Sequence, residues 1–405
     1  MNNLNHVRDQ FKALTQTVNG KPLVYLDSAA TSLKPQVVVD RITQFYSYET
    51  ANVHRGAHFL ADQGTMNFES ARTTVKNFLN ASSTEEIIFT KGTTDGINMV
   101  AECYGMNFLK ENDEIVLTEL EHHANLVPWQ NLAQKKNLKI KYISVQPNGE
   151  LDLSNLDQII TTKTKLVAFS GCSNILGTFI PVDIIIKKAQ SVNAVTLMDA
   201  AQVVAQKPIN VQALGVDFLV FSAHKLFGPF GFGVLFGRKE LLEKMPPYQF
   251  GGNMISEVNY DKTTYNNLPY KFEAGTPHVE GAIGTEAAIR FFLGLGYNQI
   301  FEHEQDLLNY GTTSLQSIPE IKIFGEAKDK APIISFNLTG AHHSDVGQIL
   351  DKQGIAVRVG HHCTQPLLKK FGLTGTVRAS FSIYNTREDV DKLVEGIIKA
   401  KRMLL

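Results

Sequence analysis

Residues 217–225 read Asp217-Phe218-Leu219-Val220-Phe221-Ser222-Ala223-His224-Lys225, an apolar run that ends in polar residues. Similar short apolar runs precede it at residues 86–89, 114–117, 139–143, 165–169 and 195–198. The segments between these runs carry apolar residues at helical spacing and are long enough for crossover helices, at residues 96–110, 124–136 and 183–193. This alternation predicts an α/β fold of three layers, in which a mostly parallel central sheet lies between helices.

The composition changes at residues 246–277, where Pro, Gly, Asn and Tyr crowd together without clear period and predict a long irregular connection. A helical pattern follows at residues 284–317. Beyond it we predict strands at residues 321–324, 333–338, 355–359 and 377–384, and a closing helix that begins at Thr386. We therefore expect two domains, a large one over residues 24–292 and a smaller α+β domain formed by residues 1–23 and 293–405.

The charge and hydropathy of the chain exclude several classes of partner. Lys+Arg 39 and Asp+Glu 40 give 405 residues a formal net charge of -1, without the basic excess that binding to nucleic-acid phosphates requires. No stretch approaches the roughly 18 uninterrupted apolar residues of a membrane span, and the first residues lack the pattern of an export signal. We expect a cytoplasmic protein that binds neither nucleic acid nor membrane.

The three cysteines are too few for a disulfide framework, and their spacing matches no metal site. We therefore expect free thiols and no bound metal. Cys103 lies in a helical pattern and is expected in the core. Cys172 ends a strand and is a candidate neighbour of the functional site.

Lys225 is the most informative residue of the first stretch. A lysine that closes an apolar strand lies at a carboxyl end, where open α/β sheets bind ligands, and loss of solvent there lowers an ammonium pKa toward a nucleophilic amine suited to a Schiff base. Taken alone, this segment favours the simpler interpretation, in which the lysine side chain points from the end of the strand into solvent.

Three further features favour the functional interpretation. Asp199 ends the strand at residues 195–198, where a carboxylate can pair with a cofactor's pyridinium nitrogen. Residues 92–96 follow a strand and open a helix, which offers free N–H groups and two hydroxyls to a phosphate. His122 and His123 follow another strand and place an imidazole at the same sheet edge. Each feature has an ordinary alternative: a helix cap, a strand-to-helix turn, and exposed or metal-binding histidines.

Together these residues resemble the fold-type I family of pyridoxal-phosphate enzymes, and the chain is similar to cysteine desulfurases of the SUF type (group II) within aminotransferase class V. The resemblance runs from about residue 7 to residue 400. It is carried by the motifs Tyr25-Leu26-Asp27-Ser28-Ala29-Ala30, Val53-His54-Arg55-Gly56, Lys91-Gly92-Thr93-Thr94-Asp95-Gly96-Ile97-Asn98, Glu121-His122-His123-Ala124-Asn125, Ser173-Asn174-Ile175-Leu176-Gly177, Asp199-Ala200-Ala201-Gln202, Ser222-Ala223-His224-Lys225, Phe272-Glu273-Ala274-Gly275-Thr276-Pro277 and Arg358-Val359-Gly360-His361-His362-Cys363.

The resemblance implies pyridoxal 5'-phosphate as cofactor, with Lys225 linked to it, Asp199 at the pyridine nitrogen and His122 stacked on the ring as a catalytic group. The remaining cofactor contacts that it implies are those of Thr93, Thr94, Gln202, Ser222, His224 and Thr276. Of these, Thr276 would come from the second subunit of a homodimer. The substrate contacts that it implies are those of His54, Asn174, Arg358 and Arg378, the last on the substrate carboxylate.

Cys363 decides which reaction we expect. It follows a strand that leads into a polar loop, and neighbouring imidazoles and Arg358 favour a reactive thiolate; the alternative is a small buried apolar residue. The expected reaction converts L-cysteine to L-alanine and leaves a persulfide on Cys363, which passes to a SUF-type acceptor or scaffold of iron–sulfur cluster assembly. A selenocysteine lyase is the near alternative. An aminotransferase without a positioned thiol and a catalytically idle scaffold remain more distant ones.

Overall fold

A computed structural model describes residues 4–405 of the chain. Its strands, in chain order, are β1 (Thr17–Val18), β2 (Lys21–Pro22), β3 (Val24–Tyr25), β4 (Ile87–Thr90), β5 (Glu114–Thr118), β6 (Lys139–Ile143), β7 (Thr164–Ser170), β8 (Val195–Asp199), β9 (Phe218–Ser222), β10 (Gly233–Gly237), β11 (Ile255–Val258), β12 (Thr263–Tyr265), β13 (Ile321–Phe324), β14 (Ile333–Leu338), β15 (Ile355–Ala356), β16 (Arg358–Gly360) and β17 (Thr376–Ser380).

Its α-helices are α1 (Asn5–Arg8), α2 (Gln36–Gln44), α3 (Phe59–Leu79), α4 (Thr93–Val100), α5 (Met106–Phe108), α6 (Val127–Lys136), α7 (Leu156–Ile159), α8 (Val182–Ser191), α9 (Val211–Leu214), α10 (Lys239–Lys244), α11 (Val279–Leu295), α12 (Tyr297–Gln316), α13 (His343–Asp351), α14 (Gln365–Lys370) and α15 (Arg387–Leu404). A π-helical turn, Ala101–Gly105, joins α4 to α5. Within residues 4–405, no helix combines the length and the apolar composition that crossing a bilayer requires.

The central sheet has seven strands in the order β4-β10-β9-β8-β7-β5-β6. Strands β9, β8, β7, β5 and β6 pair in parallel, which confirms the predicted mostly parallel sheet. Strand β10 pairs antiparallel with both β9 and β4, and it was absent from the strands predicted from the sequence. It follows the Gly-rich residues 228–233, and at Gly233 an added Cβ would lie 2.4 Å from the Gly92 Cα. The close approach of these two backbones therefore requires glycine.

Two apolar cores cover the two faces of this sheet. In β9, Leu219 and Phe221 face one core while Phe218 and Val220 face the other, as the two-residue period of a strand requires. All five residues of β9 are buried, so each large apolar side chain contributes about 1.5–3 kcal/mol through burial. This arrangement confirms the three-layer α/β fold.

The C-terminal part of the chain forms a second sheet of four antiparallel strands in the order β13-β14-β17-β16, with its own apolar core. Strands β13 and β14 have the predicted bounds. The closing helix is confirmed as well, since Thr386 caps α15 in a reciprocal pair with Asp389. Val24 and Leu26 also pack in this core. The division into two domains at the residues given above stays a prediction.

Three boundary predictions were wrong. The strand predicted at residues 355–359 is two short strands, because β15 pairs with β3 whereas β16 pairs with β17. The strand predicted at residues 377–384 ends at Ser380. The helical pattern at residues 284–317 is two helices, separated at Gly296, whose φ of 81° ends α11. The connection at residues 246–277 is largely irregular as predicted, with one exposed hairpin formed by β11 and β12.

Candidate functional site

A cavity of about 230 Å³ lies at the carboxyl ends of the parallel strands, where it also meets the four-stranded sheet. Most of the predicted site residues line it, because the carboxyl ends of parallel strands share one edge of a sheet. These residues are Thr93, Thr94, His122, Asn174, Asp199, Gln202, Ser222, His224, Lys225, Arg358 and Arg378.

Lys225 follows β9 in a single turn of 3-10 helix, Ala223–Lys225, which turns its side chain into the cavity. Burial, together with the nearby charges of Arg378 and Arg358, lowers the pKa of its ammonium to about 8. The carboxylate of Asp199 opposes these effects. At pH 7 about 9% of Lys225 is therefore a neutral, nucleophilic amine.

Asp199 is the last residue of β8 and is buried. Its Oδ1 accepts a hydrogen bond of 2.9 Å from the backbone N–H of Ala201, while burial raises its pKa. A cationic group in the cavity would stabilise the charged carboxylate. The site therefore favours a ligand that carries a positive charge facing Asp199.

The opposite end of the cavity carries hydrogen-bond donors that can bind an anion. Helix α4 begins at Thr93, so its free backbone N–H groups open toward the cavity. The Ser222 Oγ accepts from the Thr93 N–H at 2.8 Å and lies 2.9 Å from the Thr93 Oγ1. In addition, the Nδ1 of His224 is buried without a hydrogen-bond partner. Burial lowers the pKa of His224 to about 4, so the ring is neutral and can donate from one nitrogen.

His122 follows β5 and presents a neutral imidazole ring. Its Nδ1 accepts a hydrogen bond of 3.0 Å from the Ala124 N–H, and burial, with the charge of Lys225, lowers its pKa to about 3. The preceding residue, Glu121, is buried and accepts hydrogen bonds from Ser170, Asn125 and Thr118. This network fixes the loop that carries His122. Glu121 was not predicted as a site residue, although it is the first residue of the motif Glu121-His122-His123-Ala124-Asn125.

Arg378 comes from β17 and is fully buried. Its Nη1 donates to the Asn174 carbonyl at 2.7 Å and its Nη2 to the Asp27 Oδ1 at 2.9 Å, whereas its Nε is buried without a partner. Asp27 is a partner that the sequence analysis missed, since 351 positions separate the two residues. The Gln202 Nε2 donates to the Ala29 carbonyl at 2.8 Å.

Cys363 lies beside the cavity on the loop after β16. Its Sγ is 4.0 Å from the Arg358 Nη2, and its side chain is partly exposed. Cys103 is in the core, as expected, and Cys172 is also buried. Burial raises the pKa of each of these two thiols to about 12, so both remain protonated. Cys172 lines the cavity, as its place at a strand end predicted, but its buried and protonated thiol is a poor nucleophile, whereas Cys363 is partly exposed.

Besides Cys363, two predicted residues lie outside this cavity within one chain. The His54 Nε2 is 3.0 Å from the Glu69 Oε1, and its ring packs edge-on against Phe68 and Tyr270. These contacts hold His54 away from Lys225. Thr276 is exposed on the loop before α11, at the rim of a separate cavity of about 430 Å³.

The described part of the chain holds no group of three or more His, Cys, Asp or Glu side chains in position to bind a metal ion. The cavity itself presents an amine, a carboxylate, imidazoles and guanidinium groups.

Comparison with known proteins agrees with this chemistry. The family model described as aminotransferase class-V matches residues 24–393. A cysteine desulfurase of Serratia proteamaculans is 47% identical over 403 residues, which are 99% of each chain. The crystal structure of the cysteine desulfurase CsdA from Escherichia coli superposes with a TM-score of 0.93 at 40% identity over 100% of both chains. The cysteine desulfurase of Thermococcus onnurineus NA1 gives 0.94 at 40% identity over 99% of both.

Enzymes of this class use pyridoxal 5'-phosphate, and the donor set of the cavity fits that cofactor. Lys225 would offer a neutral amine to its aldehyde, and Asp199 would offer a buried carboxylate to its pyridine nitrogen. The unpartnered Nδ1 of His224, with Ser222 and the start of α4, suits its phosphate. We expect His122 to stack on the ring.

Proposed function

The chain belongs to the aminotransferase class-V family, and we propose that it is an L-cysteine desulfurase, which transfers the sulfur of L-cysteine to Cys363. One observation carries this proposal: the Cys363 Sγ lies 4.0 Å from the Nη2 of Arg358, which itself lines the Lys225 cavity. An aminotransferase would need the amine and the carboxylate-binding arginine, but no thiol at this place.

Lys225 moves the proton of the reaction. Because its pKa is lowered to about 8, its Nζ can take the proton from the substrate Cα and later return one. When bound, pyridoxal phosphate supplies an electron sink for the charge that this proton leaves behind. Asp199, held by the Ala201 N–H, keeps the negative charge that makes such a sink effective.

Cys363 receives the sulfur. Its thiolate attacks the sulfur of L-cysteine, so that an S–S bond forms while the substrate Cβ–S bond breaks. The electron pair of the broken bond stays with carbon, where a proton completes L-alanine. L-Cysteine and one thiol thus give L-alanine and one persulfide, and the step requires no external oxidant or reductant. The guanidinium of Arg358 flanks the attacking sulfur, with its Nη2 4.0 Å from the Sγ.

Arg378 binds the substrate carboxylate in this proposal. Its guanidinium is held from two sides by Asp27 and the Asn174 carbonyl, which leaves the buried Nε as a donor without a partner. A carboxylate in the cavity would satisfy that donor. Arg358 and Asn174 lie close enough to shape the same pocket.

The active unit in our proposal is a homodimer. Thr276 is exposed and lies outside the cavity of its own chain, which supports the prediction that it reaches the phosphate of the second subunit. Exposed apolar side chains such as Tyr46, Phe59 and Phe230 provide surface for such an interface.

We further propose that the persulfide passes to a SUF-type acceptor of iron–sulfur cluster assembly in the cytoplasm. The unpaired state of all three thiols agrees with a reducing compartment.

Incubation of the purified protein with L-cysteine and a reductant tests the proposal. We expect L-alanine and sulfide in equal amounts. Without reductant, mass spectrometry should show one added sulfur on the peptide that holds Cys363 and none on the peptide that holds Cys172. Alanine without sulfide, or sulfur on Cys172, would contradict the mechanism. Activity with L-selenocysteine alone would instead identify a selenocysteine lyase.

A further inference from the structure

The loop that carries Cys363 adopts a backbone conformation that L-amino acids rarely take. The φ angles of Gly360, His362 and Cys363 are 105°, 50° and 58°. Side chains at consecutive positions with positive φ are sterically disfavoured, so surrounding contacts must hold them in place.

Two imidazole rings supply such contacts on either side of the Cys363 peptide. The Cys363 N–H donates to the His361 Nδ1 at 3.1 Å, and the Gln365 N–H donates to the His123 Nε2 at 3.1 Å. The backbone N–H of His123 also donates to the Cys363 carbonyl at 2.8 Å. The two rings lie 5.7 Å apart at 31° to each other. Cys363 is therefore held by hydrogen bonds from its own loop and from the loop after β5.

These bonds specify which nitrogen of each ring accepts. A ring nitrogen that accepts a backbone N–H carries no proton, so His123 must be unprotonated at Nε2 and His361 at Nδ1. Partial burial, with the neighbouring His361, lowers the pKa of His123 and keeps its ring neutral.

We propose that His123 and His361 are positioning residues that hold Cys363 in its left-handed conformation, with the thiol beside Arg358. The structural part of this inference stands by itself, and its catalytic consequence rests on the proposed desulfurase function. Neither ring touches the reacting atoms in this arrangement; each acts through the backbone of the Cys363 loop.

Other anchors of the loop stay intact when one of these rings is changed. The His362 carbonyl accepts from the Asn174 Nδ2 at 2.8 Å, and the buried His362 ring lies 3.0 Å from the Thr376 Oγ1. A change at His123 or His361 therefore releases one amide and leaves the rest of the loop in place.

Crossed amide substitutions test the inference, because the two rings accept through different nitrogens. The Oε1 of glutamine reaches about as far as an imidazole Nε2, and the Oδ1 of asparagine about as far as an Nδ1. His123→Gln and His361→Asn should therefore keep their acceptors. His123→Asn and His361→Gln should lose them. Each residue thus provides its own matched control.

Two measurements on the cofactor-loaded protein decide the outcome. Without L-cysteine, hydrogen exchange at residues 363–365 should speed up in His123→Asn and His361→Gln only, while exchange in α6 stays unchanged. With L-cysteine, kcat should fall about fivefold in the same two variants, the factor expected for one hydrogen bond, with KM nearly constant.

The inference is overturned if both amides at one position behave alike, or if exchange rises throughout α6 as in general unfolding. A crossed exchange pattern in a protein that does not release sulfide would refute the proposed function and uphold the positioning of Cys363.

Discussion

The charge on Lys225 is set by two opposed influences that can be separated by one substitution. Burial lowers its pKa to about 8 from the ordinary 10.5, while the Asp199 carboxylate holds it up. At pH 7 a pKa of about 8 leaves about 9% of the amine neutral, whereas the ordinary value would leave only about 0.03%. The fold therefore enriches the reactive form by a factor of about 300.

Replacement of Asp199 by Asn removes the charge that favours the ammonium form, so the pKa of Lys225 should fall below 8. A fall of about one unit would bring the neutral fraction at pH 7 to about 50%, a gain of about fivefold. The gain cannot exceed about elevenfold, since the fraction cannot exceed unity. Asp199→Asn should thus make Lys225 more reactive in the cofactor-free protein, although it removes the cofactor's predicted partner.

Competitive reductive methylation of the cofactor-free protein measures this directly. Mass spectrometry of the Lys225 peptide, between about pH 6 and about pH 10, gives the midpoint of labelling, with the exposed Lys91 as internal reference. Labelling should rise through about pH 8 in the wild type and at lower pH in Asp199→Asn. Activity of the loaded variant should fall over the same range.

Asp217→Asn is the matched control. Asp217 is also a carboxylate with a pKa raised by burial, but it precedes β9, at the end of the strand opposite Lys225, and binds Thr196. Its removal should leave the Lys225 midpoint unchanged. A midpoint near 10.5 in the wild type, or slower labelling in Asp199→Asn, would refute the reasoning.

Three further predictions follow from the same contacts. Cys363→Ala should keep the cofactor's absorption spectrum and lose nearly all sulfide release, whereas Cys172→Ala should stay active; desulfuration at the wild-type rate by Cys363→Ala would exclude the persulfide mechanism. Arg378→Lys keeps the charge but lacks the planar fork of donors that reaches Asp27, the Asn174 carbonyl and a carboxylate together. The value of kcat/KM for L-cysteine should therefore fall at least about tenfold at unchanged cofactor occupancy; unchanged kinetics would remove Arg378 from the pocket. Arg72→Met leaves Glu273 buried without its two-pronged partner and should lower the free energy of unfolding by about 3–5 kcal/mol in urea denaturation; a loss below about 1 kcal/mol would show that water reaches Glu273.

Local sequence pattern predicted six of the seven strands of the central sheet to within one or two residues and missed β10. A buried parallel strand is a short continuous apolar run wherever it stands, and the helix that follows it shows apolar residues at helical spacing. The positions of the main site residues were therefore predicted as well. Thr94, His122, Asp199 and Lys225 all follow or end such runs, so the parallel order of the strands brings them to one edge without further information.

The geometry around the thiol depends on contacts between residues far apart in the chain. Asp27 meets Arg378, and His123 meets Gln365, across hundreds of residues. The strand predicted at residues 355–359 is divided because its first part, β15, pairs with β3 and its second part, β16, pairs with β17. Local periodicity does not encode these partners. His54 lies elsewhere because Glu69 and Tyr270 hold it.

The sequence by itself therefore determined the layers, the strand ends and the types of group that meet in the cavity. Only the tertiary structure decided the protonation of Lys225, the partners of Arg378 and the left-handed backbone of Cys363. The physical reason is the separation along the chain over which each effect acts. Periodicity and strand propensity act between neighbours in the chain, whereas burial, charge and hydrogen-bond direction depend on whichever residues the fold brings within a few ångströms.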